Sequence, residues 1–167
     1  MLRVSAALLG ALALAAPAYA ITPFPDGFHS KEIVTNGTTL HVRVGGQGPA
    51  VVMLHGFGDT GDMWAPVAAA LAPDHTVVVP DLRGMGLSAH PDDGYTKKNE
   101  AADIAGVMDA LNIKTADLVT HDIGNMVGYA LALRDRSHLF GDFFHSHGGT
   151  QSFPKAAWIL VYGARRV

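Results

Sequence analysis

Thr120-His121-Asp122-Ile123-Gly124 places a carboxylate between small residues two positions before and two after it. The segment lies between a strand-like apolar run and a helical pattern. A tight strand-to-helix turn of this kind needs small neighbours, and it presents its central side chain above the sheet as a nucleophile. The N–H of Ile123, opening the helix, would then point at a developing negative charge. Plain helix capping by an aspartate is the competing reading. A second loop, His55-Gly56-Phe57-Gly58, favours the nucleophile, because the Phe57 N–H can supply a second donor at the same oxyanion or halide position.

The remaining candidates are weighed by what surrounds them. Ser88 is a poor elbow residue because His90 occupies the place that needs a small side chain. Asp81 and Arg83 are expected to tie their own loop together by an ion pair, with substrate contact as the alternative; Trp64 is a further candidate for the crevice wall. His55 and His121 are expected to orient loops rather than act as bases, and Gly56 and Gly124 to let the loops approach closely. The chain has nine histidines, yet His145-Ser146-His147 finds no partner at a recognised ligand spacing. No metal and no cofactor are expected.

The elements that must position these groups alternate between strand and helix. Ile33–Thr35 and Leu40–Val44 flank Asn36-Gly37, a hairpin turn signal. Ala50–Leu54, Thr76–Val79 and Asp117–Thr120 are apolar runs suited to strands covered on both faces. Between them, Met63, Val67 and Leu71 fall at helical spacing, with Trp64 beside them. Thr96 is a plausible N-cap for a helix carrying Ile104, Val107, Met108 and Leu111. Met126, Tyr129, Ala130 and Leu133 mark another. The fold class is α/β with parallel strands, and ligands in such sheets bind beyond the carboxyl ends of the strands. The loops at His55–Asp59, Asp81–Ser88 and His121–Asn125 all follow such ends.

The chain has 167 residues, 49% hydrophobic and 16% charged, which reads as one globular domain. A net charge of −3 without a basic cluster excludes nucleic acid as an expected partner. Residues 1–20 read as a cleavable signal peptide: Arg3, an apolar run from Val4 to Ala16, Pro17, then Ala18-Tyr19-Ala20. The run is too short to span a bilayer core of about 30 Å, so no stable membrane anchor is expected and the mature protein is secreted or periplasmic. There is no cysteine, so stability must come from packing. Residues 21–136 form the core and 137–167 an atypical tail. Phe140, Phe143, Phe144, Phe153 and Trp158 crowd that tail without clean periodicity.

The combination His55-Gly56-Phe57-Gly58 with Trp64, Asp81-Leu82-Arg83-Gly84-Met85-Gly86-Leu87-Ser88 and His121-Asp122-Ile123-Gly124 resembles the epoxide hydrolase and haloalkane dehalogenase branch of the α/β-hydrolase superfamily. The resemblance covers residues 28 to 135. It implies Asp122 as nucleophile, Phe57 and Ile123 as backbone donors, and a small epoxide or alkyl halide as substrate. The carboxylate attacks a saturated carbon to give an ester, and a histidine-activated water hydrolyses it; serine would leave a stable ether. Three departures stand out. Thr120 takes a place usually held by glycine, Gly58 replaces a frequent proline, and Ile123 lacks the halide-holding side chain common in dehalogenases, which tilts the reading towards epoxides. The family's helical cap, later strands, acid and catalytic histidine have no match, and His138, His145 and His147 stand too close to the elbow to serve. The expectation is an incomplete α/β-hydrolase sheet, truncated after the elbow helix and unable to complete turnover. The alternatives are an inactive fragment or a small-ligand binding module. An exposed flank on the third buried strand would favour self-association.

Overall fold

The computed structural model describes residues 23–134 and the backbone of 159–165. The signal peptide, the aromatic cluster of the tail, His138, His145 and His147 lie outside the described residues.

Strands β1 (His29–Thr35) and β2 (Thr38–Gly46) form the expected antiparallel hairpin. Asn36 and Gly37 sit at φ 43° and 75°, the left-handed pair that lets a two-residue turn follow the strand twist. Strand β3 (Ala50–Leu54) lies between β4 (Thr76–Pro80) and β5 (Thr115–His121) and runs parallel to both. Strand β2 closes on β4 in antiparallel fashion, and the sheet order is β1-β2-β4-β3-β5-β6, with β6 being Ile159–Arg165.

The apolar strands are covered on both faces, and alternation sorts their side chains. Val52, Leu54, Val78 and Leu118 pack with Ile104, Val107 and Met108 of helix α2 (Lys97–Ala110) and Val127 and Leu131 of helix α3 (Ile123–Arg134). Val51, Met53, Val77 and Val79 turn the other way, onto Trp64 and Ala68. Thr96 caps α2 as expected, its hydroxyl accepting from the Asn99 N–H.

The structure corrects two expectations about the elements. The segment holding Met63, Val67 and Leu71 is not one helix but a 3-10 turn, Gly61–Trp64, followed by α1 (Ala65–Leu71). Pro66 at the start of α1 has no N–H to continue the turn before it, and the break in phase leaves Val67 exposed. The second correction concerns the flank of β5, which is not open. Strand β6 pairs with it antiparallel along its whole length, from Thr115 opposite Arg165 to His121 opposite Ile159. The signal lay in Ile159-Leu160-Val161-Tyr162, a run of strand formers hidden by the irregular aromatic residues before it. Self-association through an exposed β5 flank therefore has no support here.

Two buried ion pairs hold the loop after β4. Asp81 pairs with Arg43, at 2.9 Å, and accepts the N–H groups of Gly61 and Leu87. Arg83 grips both oxygens of Asp103 on α2, each at 2.8 Å, and donates to the Asn36 carbonyl. The expected Asp81–Arg83 pair is replaced by these two, because each side chain points to a different neighbouring element. Removing one partner of a buried pair leaves the other charge stranded, so Asp103→Ala is expected to lower stability by about 3–5 kcal/mol. A urea denaturation midpoint close to that of the parent would contradict the structural role of this pair.

Candidate functional site

The register between β3 and β5 sets Leu54 opposite Thr120, so the loop leaving β3 and the turn leaving β5 emerge side by side. Asp122 has φ 50°, a left-handed conformation that aspartate tolerates better than most residues but which still costs about 1–2 kcal/mol. Two glycines permit the close approach. A Cβ on Gly124 would lie 2.5 Å from the Leu54 carbonyl oxygen, and one on Gly56 would lie 2.6 Å from Nδ1 of His121. The elbow therefore seats directly on the end of β3.

Across this junction the Phe57 N–H donates to Oδ2 of Asp122 at 2.8 Å. That hydrogen bond holds the Asp122 carboxyl below the ordinary aspartate range; partial desolvation opposes it, and the Ile123 N–H adds to it, with smaller effects from His121 and Lys97. The carboxylate is solvent-exposed. Two main-chain amides thus act on the Asp122 carboxylate itself. The Phe57 N–H engages Oδ2 and not Oδ1.

His55 is fully buried and joins two loops. Its Nε2 accepts from the Leu82 N–H at 2.9 Å and its Nδ1 donates to the Gly56 carbonyl at 2.8 Å. Accepting at Nε2 requires the neutral ring, and burial lowers its pKa, although the bond to Gly56 opposes that shift. The ring of His121 packs at Gly56, with Nδ1 at 3.9 Å from an Asp59 carboxylate oxygen.

The other crevice candidates are placed differently. Trp64, Asp81 and Arg83 are buried, at 2%, 0% and 4% exposure. Trp64 belongs to the core under α1, and the two charges are engaged in the pairs described above, so none of the three forms a wall around Asp122. Sequence reasoning missed Asn125, whose Oδ1 accepts the Thr120 hydroxyl at 2.6 Å across the elbow. The clue was two polar side chains flanking the turn five positions apart. Among the described residues no group of three or more potential ligands could hold a metal ion.

The fold, the three loops and the elbow define a family, and comparison agrees. A profile described as the alpha/beta hydrolase fold matches residues 49–141, more than half of the chain. The chain belongs to the alpha/beta hydrolase fold family. Within the family it is similar to an epoxide hydrolase of Caballeronia sordidicola, 41% identical over 110 residues, covering 64% of this chain and 33% of that protein. It is also similar to a fluoroacetate dehalogenase of a Burkholderia species, 38% identical over 113 residues, covering 65% of this chain and 37% of that protein. The crystal structure of an epoxide hydrolase from Vigna radiata superposes with a TM-score of 0.63 and 34% identity, over 66% of this chain and 37% of that one. This alpha/beta hydrolase chain thus spans a third to two fifths of the length of these proteins.

A pH dependence follows from His55. Its folded pKa is lowered, so below the ordinary histidine value of 6.5 the unfolded chain binds a proton that the folded chain refuses. Stability should therefore fall as pH drops through that value, by at most about 1.4 kcal/mol per pH unit. Urea melts at pH 7.5 and 5.5 would show this, and His55→Asn should flatten the slope. An unchanged slope in that variant would reassign the dependence to another group.

Proposed function

We propose that this chain uses Asp122 as a nucleophile towards a small epoxide, within an epoxide hydrolase-like protein. The observation that supports it best is the Phe57 N–H bonded to Oδ2 of Asp122, in a residue held at positive φ. With Oδ2 in the amide site, Oδ1 attacks a ring carbon of the epoxide. The carbon–oxygen bond of the ring breaks, and the resulting alkoxide takes a proton from water. The product is a hydroxyalkyl ester in which Oδ2 is the carbonyl oxygen. Water added at Cγ would put the oxyanion on the same two amides, releasing a diol and regenerating the carboxylate.

The epoxide is favoured over the alkyl halide because Ile123 carries no side-chain donor for a departing halide. The buried His55 is not available as a hydrolysing base. His55 has both ring nitrogens engaged, and the His121 Nδ1 lies against Gly56 and Asp59. Release of the diol needs a base that activates water; where none reaches the ester, it accumulates, with no more than one equivalent of epoxide consumed per chain. Export by residues 1–20 belongs to the same proposal, with a mature N-terminus near Ile21.

Incubation with styrene oxide followed by peptide mass spectrometry tests this reading. One adduct on Asp122 is expected, absent in Asp122→Asn. Its rate should stay constant as pH falls from neutral through the ordinary aspartate range and drop only below it, because the Phe57 amide keeps the carboxylate ionised there. Phe57→Pro, which deletes the donor, should slow labelling about 100-fold. A folded chain that stays unlabelled at Asp122 would overturn the proposal.

A further inference from the structure

Resting on the role proposed for Asp122, we propose that Thr120 and Asn125 are positioning residues: their hydrogen bond is a clamp that holds the elbow, and with it the Asp122 carboxylate, on the Phe57 amide.

Thr120 is the last fully buried residue of β5 before the turn, and Asn125 is in the first turn of α3. The Thr120 hydroxyl donates to Oδ1 of Asn125 at 2.6 Å, so a side-chain bond spans the four residues between them. Inside that span the Asn125 N–H donates to the Asp122 carbonyl at 2.9 Å. The strained residue, at φ 50°, is thus enclosed by a backbone bond and a side-chain bond that share Asn125.

The bulk of the threonine side chain is accommodated on the facing helix. A Cβ on Gly128 would lie 2.9 Å from the Thr120 methyl, Cγ2, so the glycine one turn beyond Asn125 leaves the space that the methyl fills. Hydroxyl and methyl have separate seats. Threonine in a strand has restricted χ1, and with the methyl fixed against Gly128 the hydroxyl is directed at Asn125. The side chain therefore ties the strand end to the helix by a directed bond, and it limits how far the turn can relax towards an unstrained φ. The consequence is at the carboxylate: rotation of the elbow would move Oδ2 off an amide that belongs to a different loop, 65 residues away in sequence.

The test compares Thr120→Val, which keeps the shape and loses the hydroxyl, with Thr120→Ser, Asn125→Ala and the double variant Thr120→Val/Asn125→Ala. Each is followed by two readouts: the rate of Asp122 labelling by styrene oxide, and the titration of the Asp122 carboxyl by carbon-13 NMR. Losing one hydrogen bond of ordinary strength corresponds to about a five-fold change. Thr120→Val and Asn125→Ala should each slow labelling about that much and move the Asp122 titration up towards the ordinary aspartate value. The double variant should be no worse than either single one, and Thr120→Ser should recover most of the parental behaviour. An unmoved Asp122 titration in a folded Thr120→Val protein would overturn the clamp, as would single effects that multiply in the double variant. If the parent is never labelled, the nucleophile reading fails, while the titration still decides whether the clamp positions the carboxylate.

Discussion

The hydrogen bond from the Phe57 N–H to Asp122 joins two loops distant in sequence, and most of the architecture can be understood as what makes it possible. It requires β3 and β5 to be neighbours in parallel register, so that their carboxyl ends leave the sheet together. It requires both loops to come closer than ordinary side chains allow, which Gly56 and Gly124 provide. And it requires Asp122 to turn back on itself at positive φ. A single added methylene at either glycine meets backbone or ring atoms at less than 3.0 Å, so the geometry has little tolerance.

A second layer of interactions keeps those loops from drifting. The neutral His55 ring lies between the loop after β3 and the loop after β4, accepting from one and donating to the other. The loop after β4 is in turn tied to β2 through Asp81 and Arg43, and to α2 and the hairpin turn through Arg83, Asp103 and Asn36. Buried charge is costly unless paired, and here each pair links elements far apart in the chain. The polar residues that look reactive in the sequence are in large part the ones that fasten the scaffold.

That explains which features were legible in the sequence. Three apolar runs, the Asn36-Gly37 turn, the Thr96 cap and the elbow all rest on local chemistry, and each was found at or near its predicted position. Partner choice is not local. Asp81 and Arg83 stand two residues apart and read as a pair, yet the chain has left β4 by Asp81 and turns at Arg83, so the two side chains meet different elements, Arg43 on β2 and Asp103 on α2. Trp64 read as a crevice residue because it follows a site loop, but the 3-10 turn carries it beneath α1 into the core. Strand β6 went unread because its apolar run follows a segment of irregular aromatic spacing, and because an antiparallel return strand breaks the strand-helix alternation that organised everything before it.

The distinction between a helix cap and a nucleophile can be argued from where the carboxylate finds its donors. A capping aspartate satisfies N–H groups of its own helix, two or three residues on, and gains nothing from a strained backbone. Here the N–H of Asn125, three residues on, is taken by the main-chain carbonyl of Asp122. One carboxylate oxygen instead meets an amide from a loop on another strand. A cap does not need that bridge, nor the two glycines that make room for it. In the proposed nucleophilic role, one oxygen stays fixed while the other reacts, and that role would use both, because an amide already in place when an ester forms requires no reorganisation at that moment. The strain at Asp122, the crossing hydrogen bond and the close-packed glycines are then one design constraint expressed in three places.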